Sequence, residues 1–239
     1  MLMNYTNLSK TIKYQNFELF YKGDISLLYK PKIAIVGTRR PINYTKEITA
    51  KLSKLLSKKY VIVSGGAMGV DAIAHSNAKE TIMVSPAGLD IIYPKTNETL
   101  IKNIAKNHLI ITEYPNGYMP RKYSFIQRNE IVVSLSDFII ITQADLNSGS
   151  LRSYEIAKRL NKKVFIIPHR IGESEGTNQL AKEAEVIWDI EEFIFSLGID
   201  EKERILDYNE AINLYGDKLF EMELNGEVEI KNSKVYIKG

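Results

Sequence analysis

The sequence predicts an α/β fold: a doubly wound, mostly parallel sheet, with a short extension before it and a small module of helices and a hairpin after it. Three observations predict it. From Lys32 to Asp189, short runs rich in Val and Ile alternate with amphipathic helical stretches, the pattern of a parallel sheet covered on both faces by helices. The first two runs end in glycine-containing turns, which give the backbone freedom to enter a helix tightly. After Leu197-Gly198 the alternation stops, and a helical pattern is followed by two short β-like runs.

Taken in order, residues 1–30 are aromatic-rich, with Phe17, Phe20, Tyr21 and Tyr29 and a turn at Tyr21-Lys22-Gly23-Asp24; they are expected to pack as an extension on the sheet edge. The expected strands are Ile33 to Val36, Tyr60 to Ser64, Thr81 to Ser85, Leu109 to Thr112, Phe138 to Thr142, Val164 to Ile167 and Val186 to Trp188. Between the first two, Thr45 to Ser57 sets Ile48, Leu52, Leu55 and Leu56 on one side of a helix. Residues 31–198 therefore read as one extended Rossmann-like domain. Residues 199–239 read as a helix from about Glu203 to Tyr215, a second over Asp217 to Leu224, a turn at Asn225-Gly226, and β-like runs over Glu227 to Ile230 and Lys234 to Ile237. That is the outline of a small winged-helix-like module.

With 239 residues, 44% of them hydrophobic, the chain suffices for one substantial core and a small appendage. It contains no cysteine, which excludes disulfides and thiolate metal sites and favours a cytoplasmic location. No run approaches the ~18 apolar residues of a membrane span, and His75, His108 and His169 lack the spacing of a ligand cluster; no membrane, metal or cofactor is expected. The net charge of +3 is unevenly spread. From Asp200 to Gly239 ten acidic residues face six basic ones, leaving 26 basic against 19 acidic in the rest. A basic body permits a polyanionic partner.

Ligands of doubly wound sheets bind beyond the carboxyl ends of the strands. There the first strand runs into Gly37-Thr38-Arg39-Arg40, and the second into Ser64-Gly65-Gly66-Ala67-Met68-Gly69 before a helix beginning near Val70. Both turns suit phosphate, because glycines let amides approach an anion and a helix amino terminus is partly positive. Neither carries the Gly-x-Gly-x-x-Gly fingerprint or a Walker lysine. A long segment from Tyr114 to Asn129, read as a loop, interleaves Arg121, Lys122 and Arg128 with Tyr123 and Phe125. That mixture suits single-stranded nucleic acid, since cations meet phosphates while rings stack on bases of any identity; anchoring of the rings to the core is the competing reading. Leu146-Asn147-Ser148-Gly149-Ser150 either binds phosphate or caps the helix that follows. Asp71 and Asp90 follow glycine turns, where carboxylates brace loops more often than they catalyse.

In order and spacing these pieces resemble the DprA family, also called Smf, over nearly the whole chain. The resemblance rests on Ile33 to Arg39, on Val63 to His75, on Gly88-Leu89-Asp90 leading to Tyr93-Pro94, and on Thr112-Glu113-Tyr114-Pro115. It continues through Phe125 with Arg128-Asn129, Asn147 to Leu151, Pro168 and Gly176-Thr177-Asn178. It implies a non-catalytic protein that binds single-stranded DNA in a basic pocket, dimerises, protects incoming strands during natural transformation and helps load RecA. Carried onto this chain, it makes Arg39, with Arg40 beside it, Lys122, Phe125, Arg128 and Asn129 the DNA-contact candidates. Gly65, Gly66, Ser148, Gly149 and Ser150 become the phosphate-facing floor.

The chain departs from the family pattern at Glu130, where an arginine is frequent, at Gln143, where an acidic residue is common, and at His169, where glycine is usual. Glu130 is expected to reorganise the pairing of Arg128, and His169-Arg170 to add a basic contact. The runner-up function is a nucleotide phosphoribohydrolase of the LOG or lysine-decarboxylase-like type. Its Gly-Gly-x-Gly-Thr-x-x-Glu loop would fall at Asn147 to Glu155, where the glycine pair is missing.

Overall fold

The computed structural model describes residues 10–146, 148–199 and 204–237. They form two compact units, one reaching Trp188 and the other beginning at Asp189.

The first unit is built on a nine-stranded sheet. Its strands are β1 (Lys10–Tyr14), β2 (Phe17–Gly23), β3 (Lys32–Gly37), β4 (Val61–Ser64), β5 (Thr81–Val84), β6 (Leu109–Thr112), β7 (Phe138–Gln143), β8 (Lys163–Ile166) and β9 (Glu185–Val186). They lie in the order β1-β2-β6-β5-β4-β3-β7-β8-β9. The seven strands from β6 to β9 in that order are mutually parallel. The β1–β2 hairpin adds on antiparallel beside β6. Strands β3 to β7 are buried throughout apart from Gly37, which is why they read as unbroken apolar runs. The chain winds from β3 outward to β6 and returns to start the other half at β7, so the topological switch point lies between β3 and β7. There the register shifts: Val36 is opposite Ile141 but Gly37 is opposite Gln143. This bulge turns the end of β3 outward, and the Thr38 N–H closes it by donating to the Gln143 carbonyl at 2.8 Å.

The helices are α1 (Asn43–Leu56), α2 (Val70–Asn77), α3 (Glu98–Asn107), α4 (Lys122–Leu135), α5 (Gly149–Arg159) and α6 (Glu175–Leu180). α1 buries Thr45, Thr49, Leu52, Ser53 and Leu56, a stripe displaced from the expected Ile48-Leu52-Leu55-Leu56 face. Its hydroxyls are satisfied: Thr45 donates to the Gln143 side chain at 2.8 Å, Thr49 to Thr142 at 3.0 Å and Ser53 to the Ala74 carbonyl at 2.6 Å. Gln143 accepts from the Ile42 N–H as well, so at this position an uncharged amide holds α1 to the sheet. A second difference concerns Tyr114 to Asn129, which is not one long loop. From Lys122 onward it is helix α4, started by Arg121 and Ser124, whose backbone and side-chain groups bond reciprocally at 2.7–3.0 Å. No described helix is long and apolar enough to cross a membrane.

The second unit runs α7 (Ile190–Ser196), β10 (Arg204–Asp207), α8 (Tyr208–Tyr215), α9 (Lys218–Leu224), β11 (Val228–Lys231) and β12 (Lys234–Ile237). Helix, strand, helix, helix, strand, strand is the winged-helix order. Its core is Leu206, Ala211, Leu219, Val228, Val235 and Ile237, with Phe195 of α7 packed on it, which places the unit boundary ahead of Gly198. The expected helix from Glu203, a residue outside those described, is shorter. Residues 204–207 instead pair antiparallel with β12, and the helix begins only at Tyr208, capped by Asp207.

Candidate nucleic-acid interface

At the switch point the loops after β3 and β7 separate, and a cleft of about 440 Å³ opens between them. Gly37, Thr38, Arg39 and Arg40 form one wall; Asp145 and Ser148 to Ser150 form the other. Phe125, Arg128 and Asn129, successive inward positions of α4, complete the lining. A smaller recess of about 50 Å³ adjoins it between Arg39, Gly65, Met68, Tyr93 and Phe125. Nine of the eleven expected residues therefore line one continuous region; Gly66 belongs to the adjoining turn, and Lys122 stands exposed at the first position of α4, three residues before Phe125.

The contacts give these residues distinct roles. The Arg39 guanidinium sits 5.7 Å from the Phe125 ring centroid, and the Tyr93 ring packs on Phe125 at 5.6 Å. A cation and a second ring thus both pack on Phe125. Asn129 crosses from α4 to α5, donating to the Gly149 carbonyl at 3.3 Å. Ser148 accepts from the Leu151 N–H at 3.4 Å, so its hydroxyl caps α5 and steadies the helix end facing the cleft. Asn147, beside it, lies outside the described residues. Gly66 is left-handed at φ +73° and its carbonyl is held by Asn97 at 3.0 Å; it shapes the turn and does not line the cleft. Gly69, at φ +79°, passes so near the first turn that a Cβ there would stand 2.5 Å from the Thr38 carbonyl oxygen.

Arg128 lines the cleft but is already ion-paired. Its side chain is only 8% exposed and pairs with Asp71, 7% exposed, at 3.2 Å. Burial, opposed by Asp71 and reinforced by Arg39, lowers its pKa, and its Nε has no hydrogen-bond partner among the described residues. The guanidinium fills the place a Gly65 side chain would take, 0.7 Å from an ideal Cβ. Arg128 thus lines the base of the cleft with its charge matched by a carboxylate, and Arg39, Arg40 and Lys122 are the candidate cations that are exposed. Glu130 does not reorganise it: Glu130 pairs with Arg159 across to α5. Of the His169-Arg170 pair, Arg170 is exposed, whereas His169 is turned inward, its Nε2 2.8 Å from the Thr142 carbonyl and its ring edge-on against Tyr44.

Sequence reasoning assigned no site role to Thr38, Asp145, Met68 or Tyr93. Thr38 donates to Asp145 at 3.1 Å across the cleft mouth, and Met68 is 43% exposed beside the recess. Nothing local marks these residues; Tyr93 comes near Phe125 only because the loop after β5 folds over the turn after β4. Among the described residues no group of three His, Asp or Glu side chains could hold a metal.

Fold and site define a Rossmann-like α/β protein whose switch point opens into a cationic cleft with a ring at its edge. The chain belongs to the DNA recombination-mediator protein A family, the DprA/Smf proteins, whose profile matches residues 3–198. It is 40% identical over 171 residues to the DNA processing protein DprA of Streptococcus pneumoniae, an alignment covering 69% of this chain and 61% of that one. Over 201 residues it is 37% identical to the DprA of Bacillus subtilis, covering 80% and 66%. The chain thus spans less than two thirds of the length of either. The DNA processing protein A of Helicobacter pylori, solved for its single-stranded DNA binding mode, superposes with a TM-score of 0.77 at 45% identity, covering 80% of this chain and 95% of that one.

Proposed function

We propose that this protein binds single-stranded DNA in the switch-point cleft without altering it. In the cytoplasm it shields strands taken up during natural transformation, working as a homodimer and helping to load RecA on them. The observation that carries this reading is the meeting of Arg39 and Phe125 from separate elements at 5.7 Å. A phosphate and an adjacent base are then served by neighbouring groups, while the glycine turns leave the backbone open to the strand. Membership of the DprA/Smf family supports the same ligand, as does the 45% identity to a relative solved for its single-stranded DNA binding. The phosphoribohydrolase reading has less support: Glu155, its required carboxylate, is exposed on α5 and is absent from the cleft lining, which has Ser150 and Ser153 there.

A gel-shift titration with single-stranded and duplex oligonucleotides of equal length tests it. Retention of the single strand at lower protein concentration, with the oligonucleotide recovered intact, is the expected result. Equal retention of both forms, or release of free base from nucleoside monophosphates, would overturn it.

A further inference from the structure

The outer flank of α4 carries aromatic surface that the cleft does not use. Tyr123 and Phe125 are two residues apart, so at 3.6 residues per turn they leave the helix on nearly opposite sides. Phe125 enters the cleft. Tyr123, 48% exposed, accepts a hydrogen bond from the Tyr118 hydroxyl at 2.6 Å. The Tyr118 ring is stacked on Tyr114 at 4.0 Å and 9°, and the Tyr114 hydroxyl is tied to the Gln127 side chain. Three rings from two elements are therefore fixed in place before any ligand arrives, which lowers the ordering cost of using them. Burial raises the pKa of Tyr114, and that of Tyr118 is raised too, so both phenols stay neutral beside a polyanion. Cations accompany them: the Arg121 guanidinium lies 5.9 Å from the Tyr118 ring centroid, and Lys122 is exposed on the first turn between the two flanks.

We propose that Tyr123, braced by Tyr118, forms a second base-stacking platform, onto which a single strand leaving the cleft passes across the first turn of α4 under the charges of Arg121 and Lys122. This rests on the reading of the cleft given above and extends its footprint. A helix with its side chains is about 10–12 Å across, so only an oligonucleotide longer than the cleft itself reaches both surfaces.

Fluorescence anisotropy with oligodeoxythymidylates from about four to about sixteen nucleotides tests the platform in the full chain. Tyr123→Ala is expected to bind the shortest length like the parent and the longest about five-fold to about a hundred-fold more weakly, the loss of one stacked base. Tyr123→Phe keeps the ring and is expected to bind every length like the parent. Unchanged affinity of Tyr123→Ala for the long oligonucleotide, as a protein-docking role for these rings would give, overturns the platform and leaves the cleft standing. An equal loss at all lengths overturns it as well, since the ring would then act through the cleft. Failure of the parent to bind any length removes both readings.

Discussion

Arg128 and Asp71, 57 positions apart in the chain, form a buried ion pair at 3.2 Å beneath the cleft. Asp71 also accepts from the Ala67 N–H at 3.2 Å, so one carboxylate fastens the glycine turn to α4. Removing either partner strands a charge away from water, at a cost of about 3–5 kcal/mol. Asp71→Ala and Arg128→Ala are each expected to lower the melting temperature by roughly 6–20 °C for a protein of this size. Circular dichroism melts read this directly. A variant melting with the parent would show that the pair does not brace the floor.

Gly65 is predicted to be intolerant for the same reason. Alanine there would place its Cβ 0.7 Å from Arg128 Nη1, so the guanidinium has to leave its carboxylate. Gly65→Ala should therefore lose stability and DNA affinity together although no charge is removed. Gly149→Ala is the control: its Cβ meets nothing nearer than Asn129 Nδ2 at 3.9 Å, and its stability is expected to stay within ~1 kcal/mol of the parent. Equal melting of the two variants would exclude the packing argument.

These two glycines also mark what a sequence reveals. The sheet is legible because β3 to β7 are buried on both faces, and the place of the candidate site is legible from where Gly37 and Gly65 end their strands. Helix α4 was not legible as a helix. Its first turns, Lys122 to Asn129, mix rings and charges at positions that satisfy no single apolar stripe, because one flank faces the cleft and another the tyrosines. Arg128 stands beside Asn129 and near Phe125 in sequence, and nothing local distinguishes it from a surface contact. Its partner Asp71 lies on α2, and only tertiary structure reveals that its charge is spent inward. In the second unit, β10 is not legible as a strand because its partner β12 is distant in the chain.

Arg39 and Lys122 should behave differently from Phe125 in salt. Each cation that meets a phosphate releases a counterion, so Arg39→Ala or Lys122→Ala is expected to weaken single-strand binding and to reduce the slope of log affinity against log salt by about 0.7. Phe125→Ala removes stacking, costing ~1–3 kcal/mol per base with the slope nearly unchanged. Binding isotherms at several salt concentrations separate the two. A changed slope for Phe125→Ala would mean that the ring mainly positions Arg39.

Asp145 is expected to oppose a polyanionic ligand. It is exposed, lines the cleft and accepts from Thr38, so phosphates entering the cleft pass a like charge. Asp145→Asn preserves an acceptor for Thr38 and is expected to tighten binding at low salt by up to about five-fold, in keeping with the ~0.2–1 kcal/mol of an exposed charge interaction. The gain should fade as salt screens it. No gain at low salt would place the strand away from this wall.

His75 predicts how the fold responds to acid. Its Nδ1 lies 2.6 Å from the Thr81 hydroxyl, and because that hydroxyl gives its own proton to the Ile62 carbonyl, Nδ1–H must be the donor. Nε2 is left unprotonated and buried, with no partner among the described residues. Burial first, then the charges of Arg128 and His108, lower the ring's pKa from 6.5 to about 3. Between those values the unfolded chain holds a proton that the folded chain refuses, so stability is complete above 6.5 and is lost as pH falls through the window, at ~1.4 kcal/mol per unit. Urea midpoints of the parent should therefore drop from about pH 6.5 to about pH 5, and His75→Gln should show a shallower pH slope by about one proton whatever its absolute stability. Parallel slopes for the two proteins would assign the acid sensitivity to other groups, because only the variant lacks a ring that must stay neutral inside the fold.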